Sequence, residues 1–175
     1  MNHADVARSV ERTEAGRRIY PGRIGVFGIG LAAYWPQFPG LRERLQGYQR
    51  EVESRIEQLG MTVISAGLVD TVQGAAEAGQ RFASSDLDLI VCHAATYATS
   101  SQVLPVVQRA RLPVLVLNLQ PSEALDYENA DTGEWLANCC ACCVPEISNA
   151  FARARIKFHV VSGMLRQDPA AWAEI

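Results

Sequence analysis

The residues best suited to chemistry fall in three places along the chain. Cys139-Cys140-Ala141-Cys142-Cys143 puts four of the five cysteines within five positions and contains two overlapping Cys-x-x-Cys spacings, the spacing of thiol and metal sites. A closed zinc site wants a second pair of cysteines or histidines at suitable spacing, and the sequence offers none. On a helix, adjacent cysteines diverge by about 100°, and cysteines this close mostly cannot bridge without strain. The run is therefore expected to hold reduced thiols that pack as small apolar side chains, without a metal. A thiol- or metal-based function stays open as one alternative.

The second place is Gly28-Ile29-Gly30-Leu31-Ala32-Ala33, which matches the G-x-G-x-x-A fingerprint of dinucleotide binding. That mechanism needs a helix to begin inside the motif and aim its first amides at a pyrophosphate. Here Tyr34-Trp35-Pro36-Gln37-Phe38-Pro39-Gly40 follows instead, a loop of two prolines and three aromatics, and no acidic residue before Asp70 is placed to hold a ribose. Dinucleotide binding is not expected. Aromatic faces against the C–H side of a sugar ring, with an amide for hydroxyls, make Tyr34, Trp35 and Phe38 with Gln37 a candidate carbohydrate wall; equally, the rings, Phe38 above all, could plug a sheet edge or an interface.

The third place is a set of single polar residues at the ends of apolar runs. His93 ends one run and has no carboxylate or second histidine near it in sequence, so it reads as a hydrogen-bonded structural residue. Gln120 follows Asn118 at the end of another, and reads either as a ligand contact or as a turn residue. Glu146, after Pro145, could place its carboxylate at a helix N-terminus, which stabilises the helix without any ligand.

The elements that must position these residues alternate. Ile24 to Ile29 is a short apolar strand, and Leu41, Leu45, Tyr48, Val52, Ile56 and Leu59 recur at helical spacing up to Gly60. Met61 to Leu68 reads as a second strand, followed by a helix capped by Asp70 with Val72, Ala75, Ala76, Gly79 and Phe82 as its small-residue face. Leu87 to Cys92 is a third strand, Ser100 or Ser101 to Ala110 a helix, and Pro113 to Asn118 a fourth strand. After a polar loop, Glu123 to Asp131, helical stretches run through the cysteines and from Pro145 to Arg155, and Phe158 to Gly163 is a fifth strand. Strands apolar on both faces and separated by helices predict an α/β, doubly wound, mainly parallel five-stranded sheet with helices on both faces, flavodoxin-like or Rossmann-like.

With 175 residues, 49% hydrophobic and 20% charged, the chain suits one ordinary folded domain. A net charge of -3 gives no electrostatic case for nucleic acid or an anionic membrane. No apolar run approaches the ~20 residues of a membrane span, and residues 1–20 have no apolar centre for a secretory signal, so a cytoplasmic protein is expected. Residues 1–22, with mixed charges and Pro21-Gly22 at their end, read as a flexible arm, and residues 23–165 as the domain. Asp168 and Pro169 write a helix start with about two turns to follow. A helix that short buries little, and residues 166–175 are read as leading into a further domain.

The order of segments resembles the N-terminal domain of the L-arabinose and L-fucose isomerase family. The resemblance is carried by the first strand with Gly30 to Tyr34, the long helix ending Gln58-Leu59-Gly60, and Asp86-Leu87-Asp88-Leu89-Ile90-Val91 with His93-Ala94-Ala95-Thr96. It continues through Leu112-Pro113-Val114-Leu115 with Asn118-Leu119-Gln120, and Asn138 to Glu146 before Asn149-Ala150-Phe151. It implies aldose–ketose isomerisation with a divalent metal, commonly manganese, whose ligands and acid/base pair lie in later domains. In such enzymes the N-terminal domain helps wall the sugar pocket, often a neighbouring subunit's. The resemblance thus implies a homo-oligomer and substrate-binding roles for Tyr34, Trp35, Gln120, Asn138 and Glu146, with no catalytic residue, metal ligand or cofactor in this chain. Leu31-Ala32-Ala33 stands where arabinose isomerases carry a polar turn, so the sugar is left open. The alternative from another class is a free-standing small-molecule-binding or regulatory module of the same fold.

Overall fold

The computed structural model describes residues 21–175, together with the backbone of Glu11–Arg12 and Arg18–Ile19, which pair as a short antiparallel ribbon. The expected N-terminal arm otherwise lies outside the described residues.

Five parallel strands form the sheet: β1 (Arg23–Ile29), β2 (Thr62–Val69), β3 (Leu89–His93), β4 (Val114–Gln120) and β5 (Phe158–Met164). Their spatial order is β2-β1-β3-β4-β5. This is the flavodoxin-like doubly wound order, in which the chain reverses its direction of travel between β1 and β3 and opens a crevice beyond their carboxyl ends. Register places Ile29 beside Val69, Gly28 beside His93, His93 beside Leu117 and Gln120 beside Met164.

The connecting helices are α1 (Leu41–Gln58), α2 (Val72–Ala83), α3 (Leu104–Ala110), α4 (Thr132–Ala137), α5 (Val144–Arg153) and α6 (Pro169–Glu174). They cover both faces because every central strand is apolar on both. Leu45, Val52 and Ile56 of α1 pack with Val26, Val91, Leu117 and Val161, and α4 and α6 join that layer through Leu136 and Ala171. On the other face Ala75 and Phe82 of α2, Val107 of α3, and Ile147 and Phe151 of α5 meet Phe27, Ile90, Cys92 and Val116. Burying a large apolar side chain contributes roughly 1.5–3 kcal/mol, so these two layers carry most of the fold's stability.

One local expectation is corrected. The cap of α2 is Thr71, whose hydroxyl oxygen accepts the Gly74 amide at 3.0 Å, and Asp70 is released for another contact. Residues 169–174 do form the expected short helix, with Asp168 accepting the amides of Ala171 at 3.0 Å and Met164 at 2.9 Å. It nevertheless docks on the domain: Ala171 is buried, and the Trp172 ring carries the Arg55 guanidinium 4.7 Å above it. Among the described residues no helix is long and apolar enough to cross a membrane.

Candidate functional site

Two glycines stand at the carboxyl end of β1. A Cβ on Gly28 would lie 2.5 Å from Oε1 of Gln49, and one on Gly30 would lie 3.0 Å from the Trp35 ring. Both positions are thus empty of side chain because an α1 amide and a loop indole occupy the space. Only a three-residue 3-10 helix, Ala32–Tyr34, starts within the motif, and the next α-helix begins at Leu41, so no α-helix aims its first amides from the motif. The fingerprint spacing here serves packing.

Gln49 uses that room to put Oε1 3.0 Å from Nδ1 of His93, a ring only 1% exposed. Burial disfavours the imidazolium and lowers the histidine's pKa to about 4, so His93 is neutral at pH 7. Its structural reading from sequence agrees with this geometry, although its partner lies 44 residues away.

Tyr34, Trp35 and Phe38 stack edge-to-face, with Tyr34 6.4 Å from Trp35 and 6.1 Å from Phe38 between ring centroids. The Trp35 indole N–H donates to Asp70 at 2.7 Å, and the Arg42 guanidinium sits 5.9 Å over its ring. Trp35 is therefore a bolt between the β1 loop and the end of β2. Tyr34 is half-buried; burial, and then Tyr97 and Cys143, push its hydroxyl pKa up. Gln37 is spent locally, donating to the Ala33 carbonyl at 2.6 Å.

Gln120 and Asn138 are brought together at the carboxyl end of β4. The Gln120 amide donates to the Asn138 carbonyl at 3.0 Å, and its oxygen accepts the Cys140 thiol at 2.9 Å. The Asn138 amide donates to both the main-chain and side-chain oxygens of Glu134, each at 3.0 Å. Glu134 is in turn clamped bidentately by Arg44 of α1, an ion pair that holds its carboxyl below the usual range. With the amide so engaged, Oδ1 of Asn138 is buried and has no partner. A buried polar oxygen without a hydrogen bond costs about 1–3 kcal/mol.

These two amides line a cavity of about 400 Å³ together with Ser122, Glu123, Tyr127 and Trp135. Trp135 is 46% exposed and Tyr127 84% exposed. Neither ring stood out in the sequence, because both sit in or beside a loop whose composition is polar. The available signal was that a large aromatic on an exposed helix face, three residues before Asn138, has no core to serve.

The remaining expected site residues are elsewhere. Trp35 belongs to the β1–β2 side, and β3 stands between it and β4, a separation of about 10 Å between strand axes. Glu146 lies in the first turn of α5 and accepts the Ser100 amide at 2.7 Å and the Tyr97 hydroxyl at 3.5 Å, so its carboxylate fastens the loop after β3. The geometry groups Gln120 with Asn138 and Tyr34 with Trp35, and leaves Glu146 with Tyr97 and Ser100.

The cysteine run departs from expectation at two positions. Cys139 and Cys142 form a disulfide, with Cα atoms 5.7 Å apart, because a tight turn and the three-residue 3-10 helix Ala141–Cys143 fold the chain back on itself. The expectation that cysteines this close cannot bridge fails here because the turn brings residues three apart within bonding reach, and a continuous α-helix through the run does not form. Cys140 and Cys143 are free and buried, as small apolar packing requires, and burial pushes the Cys143 thiol up to about 12. Among the described residues no group of three or more His, Cys, Asp or Glu side chains is placed to hold a metal ion.

No protein-family model matches the chain, and no curated protein matches it.

Proposed function

We propose that this chain is the substrate-pocket and subunit-contact domain of a cytoplasmic, homo-oligomeric aldose–ketose isomerase-like protein, and that it binds a polyhydroxylated small molecule without catalysing its conversion alone. The observation that carries the reading is the cavity of about 400 Å³ at the carboxyl end of β4, lined by Gln120, Asn138 and the 46% exposed Trp135. An aromatic face takes the C–H side of a sugar ring, an amide pair takes its hydroxyls, and the carboxyl edge of a parallel sheet is where such ligands sit. The segment-order resemblance supplies the isomerase reading.

The manganese chemistry implied by that resemblance polarises substrate oxygens and needs a cluster of oxygen and nitrogen ligands. The described residues of this chain do not fit such an ion, and no step through a metal is derived from them. Within this chain the residues only orient: Arg44 fixes Glu134, Glu134 fixes Asn138, and Asn138 fixes Gln120.

The test is a titration of the purified chain with a panel of aldoses, ketoses and alditols, followed by amide and indole NMR shifts. Millimolar binding, about −4 kcal/mol, with shifts confined to Gln120, Trp135 and Asn138 supports the reading. Absence of shifts at those three positions across the panel overturns it.

A further inference from the structure

The mechanism proposed above has no use for the disulfide, yet its two sulfurs are unlike each other. Cys142 is exposed, whereas Cys139 is only 3% exposed, and the bond joins residues three apart in sequence. Closing so small a ring removes little chain entropy from the unfolded state compared with the long loops that structural disulfides close. The other cysteines are poor redox partners. Cys92, Cys140 and Cys143 are all buried, and burial raises each of their thiol pKa values. An exposed entry sulfur beside a shielded resolving sulfur is the arrangement that thiol–disulfide exchange requires.

We propose that Cys139 and Cys142 are a reversible dithiol/disulfide pair that exchanges with small disulfides and thiols, with Cys142 as the sulfur attacked and attacking, and Cys139 as the resolving sulfur. In the oxidising direction the Cys142 thiolate attacks a small disulfide RSSR, forming a Cys142–SR mixed disulfide and releasing one RS⁻. The Cys139 thiolate then attacks Cys142 Sγ, forming the internal bond and expelling the second RS⁻. Two cysteine thiols have lost two electrons and two protons, and one RSSR has become two RSH. The reducing direction is the reverse, begun by a small thiolate at Cys142. This inference does not depend on what the cavity binds. It does place the exchange beside that cavity, since Cys139 lies between Asn138 and Cys140, the two residues that hydrogen-bond Gln120.

The experiment uses the whole chain, reduced with dithiothreitol, desalted and exposed to glutathione disulfide, then acid-quenched and alkylated. Digestion at glutamate releases residues 135–146 with all four clustered cysteines, and fragmentation locates the modified sulfurs. The expected product is a Cys139–Cys142 disulfide that dithiothreitol reopens without unfolding the protein. Cys139→Ser should instead accumulate one glutathione on Cys142, and Cys142→Ser should react at least tenfold more slowly than the wild type. A pulse of iodoacetamide on the reduced wild type, which needs no variant, should label Cys142 ahead of Cys139, Cys140 and Cys143. The proposal is overturned by a wild type that stays reduced, by a bond that opens only on denaturation, or by a pulse that labels Cys139 or Cys140 first.

Discussion

Gln49 of α1 holds His93 of β3 through one 3.0 Å contact across the β1 backbone, and Gly28 is the residue that lets it pass. The same amide donates to Glu53 at 2.8 Å, and Glu53 accepts the Ser65 hydroxyl, so a polar thread runs from the neutral histidine to β2. This thread fixes the packing of α1 on the sheet more tightly than apolar contacts alone, which would tolerate sliding.

Gly28→Ala should therefore destabilise the domain by about 1–3 kcal/mol, because the new methyl and the Gln49 amide cannot share the space. In the Gln49→Ala background the same change should cost far less, a coupling visible in a double-mutant cycle by denaturant titration. Additive losses would show that Gln49 does not occupy the space beside Gly28.

The burial of neutral His93 should make stability fall as the protein is acidified. The folded-state pKa is lowered to about 4 from 6.5, so between those values the unfolded chain binds a proton that the folded chain does not. Stability from this group is fully present above pH 6.5 and is lost as pH falls from 6.5 towards 4, by about 3 kcal/mol in all. His93→Gln should flatten that part of the pH–stability curve. Equal slopes in both proteins would remove His93 from the account.

Ile56 is 2% exposed on the sheet-facing side of α1 beside Val52, which is fully buried. Ile56→Ala should cost on the order of 2–4 kcal/mol in denaturant titration. A loss below about 0.5 kcal/mol, the level of an exposed substitution, would contradict the packing of α1.

The purified chain should not isomerise common aldoses with manganese, for want of metal ligands and a base near one sugar. In a protein that joins this chain to the metal-binding part, Gln120→Ala should lower kcat/KM roughly ten- to a hundredfold, the effect of one or two sugar hydrogen bonds. Turnover by the chain alone, or unchanged kinetics in the joined variant, would each count against one half of the proposed function.

Metal analysis of protein purified without chelator should find no stoichiometric zinc on Cys139, Cys140, Cys142 and Cys143. Stoichiometric zinc that disappears when all four are changed to Ser would reverse this.

The alternation of strands and helices was legible in the sequence because it is written in short-range periodicity. Leu45, Val52 and Ile56 announce a buried helical face, and Val114 to Leu117 a strand buried on both sides, whatever lies around them. The cap of α2 was misplaced by one residue: Asp70 was read as the cap, but its carboxylate takes the Trp35 indole, 35 residues away, and the adjacent Thr71 hydroxyl caps the helix. The purpose of Gly28 and Gly30 was hidden for the same reason, since a glycine's sequence context does not say which distant side chain fills its space. Gln120 was recognisable as a polar residue at a strand end, whereas Asn138 was marked only by the family resemblance. Their union with Trp135, and the pairing of Cys139 with Cys142, needed the chain's actual path, in which the loop after β4 turns back over its own strand end. Local composition determined the elements and their buried faces; strand order and the partners of single polar side chains were decided by tertiary packing, because those choices depend on residues far apart in sequence competing for the same space.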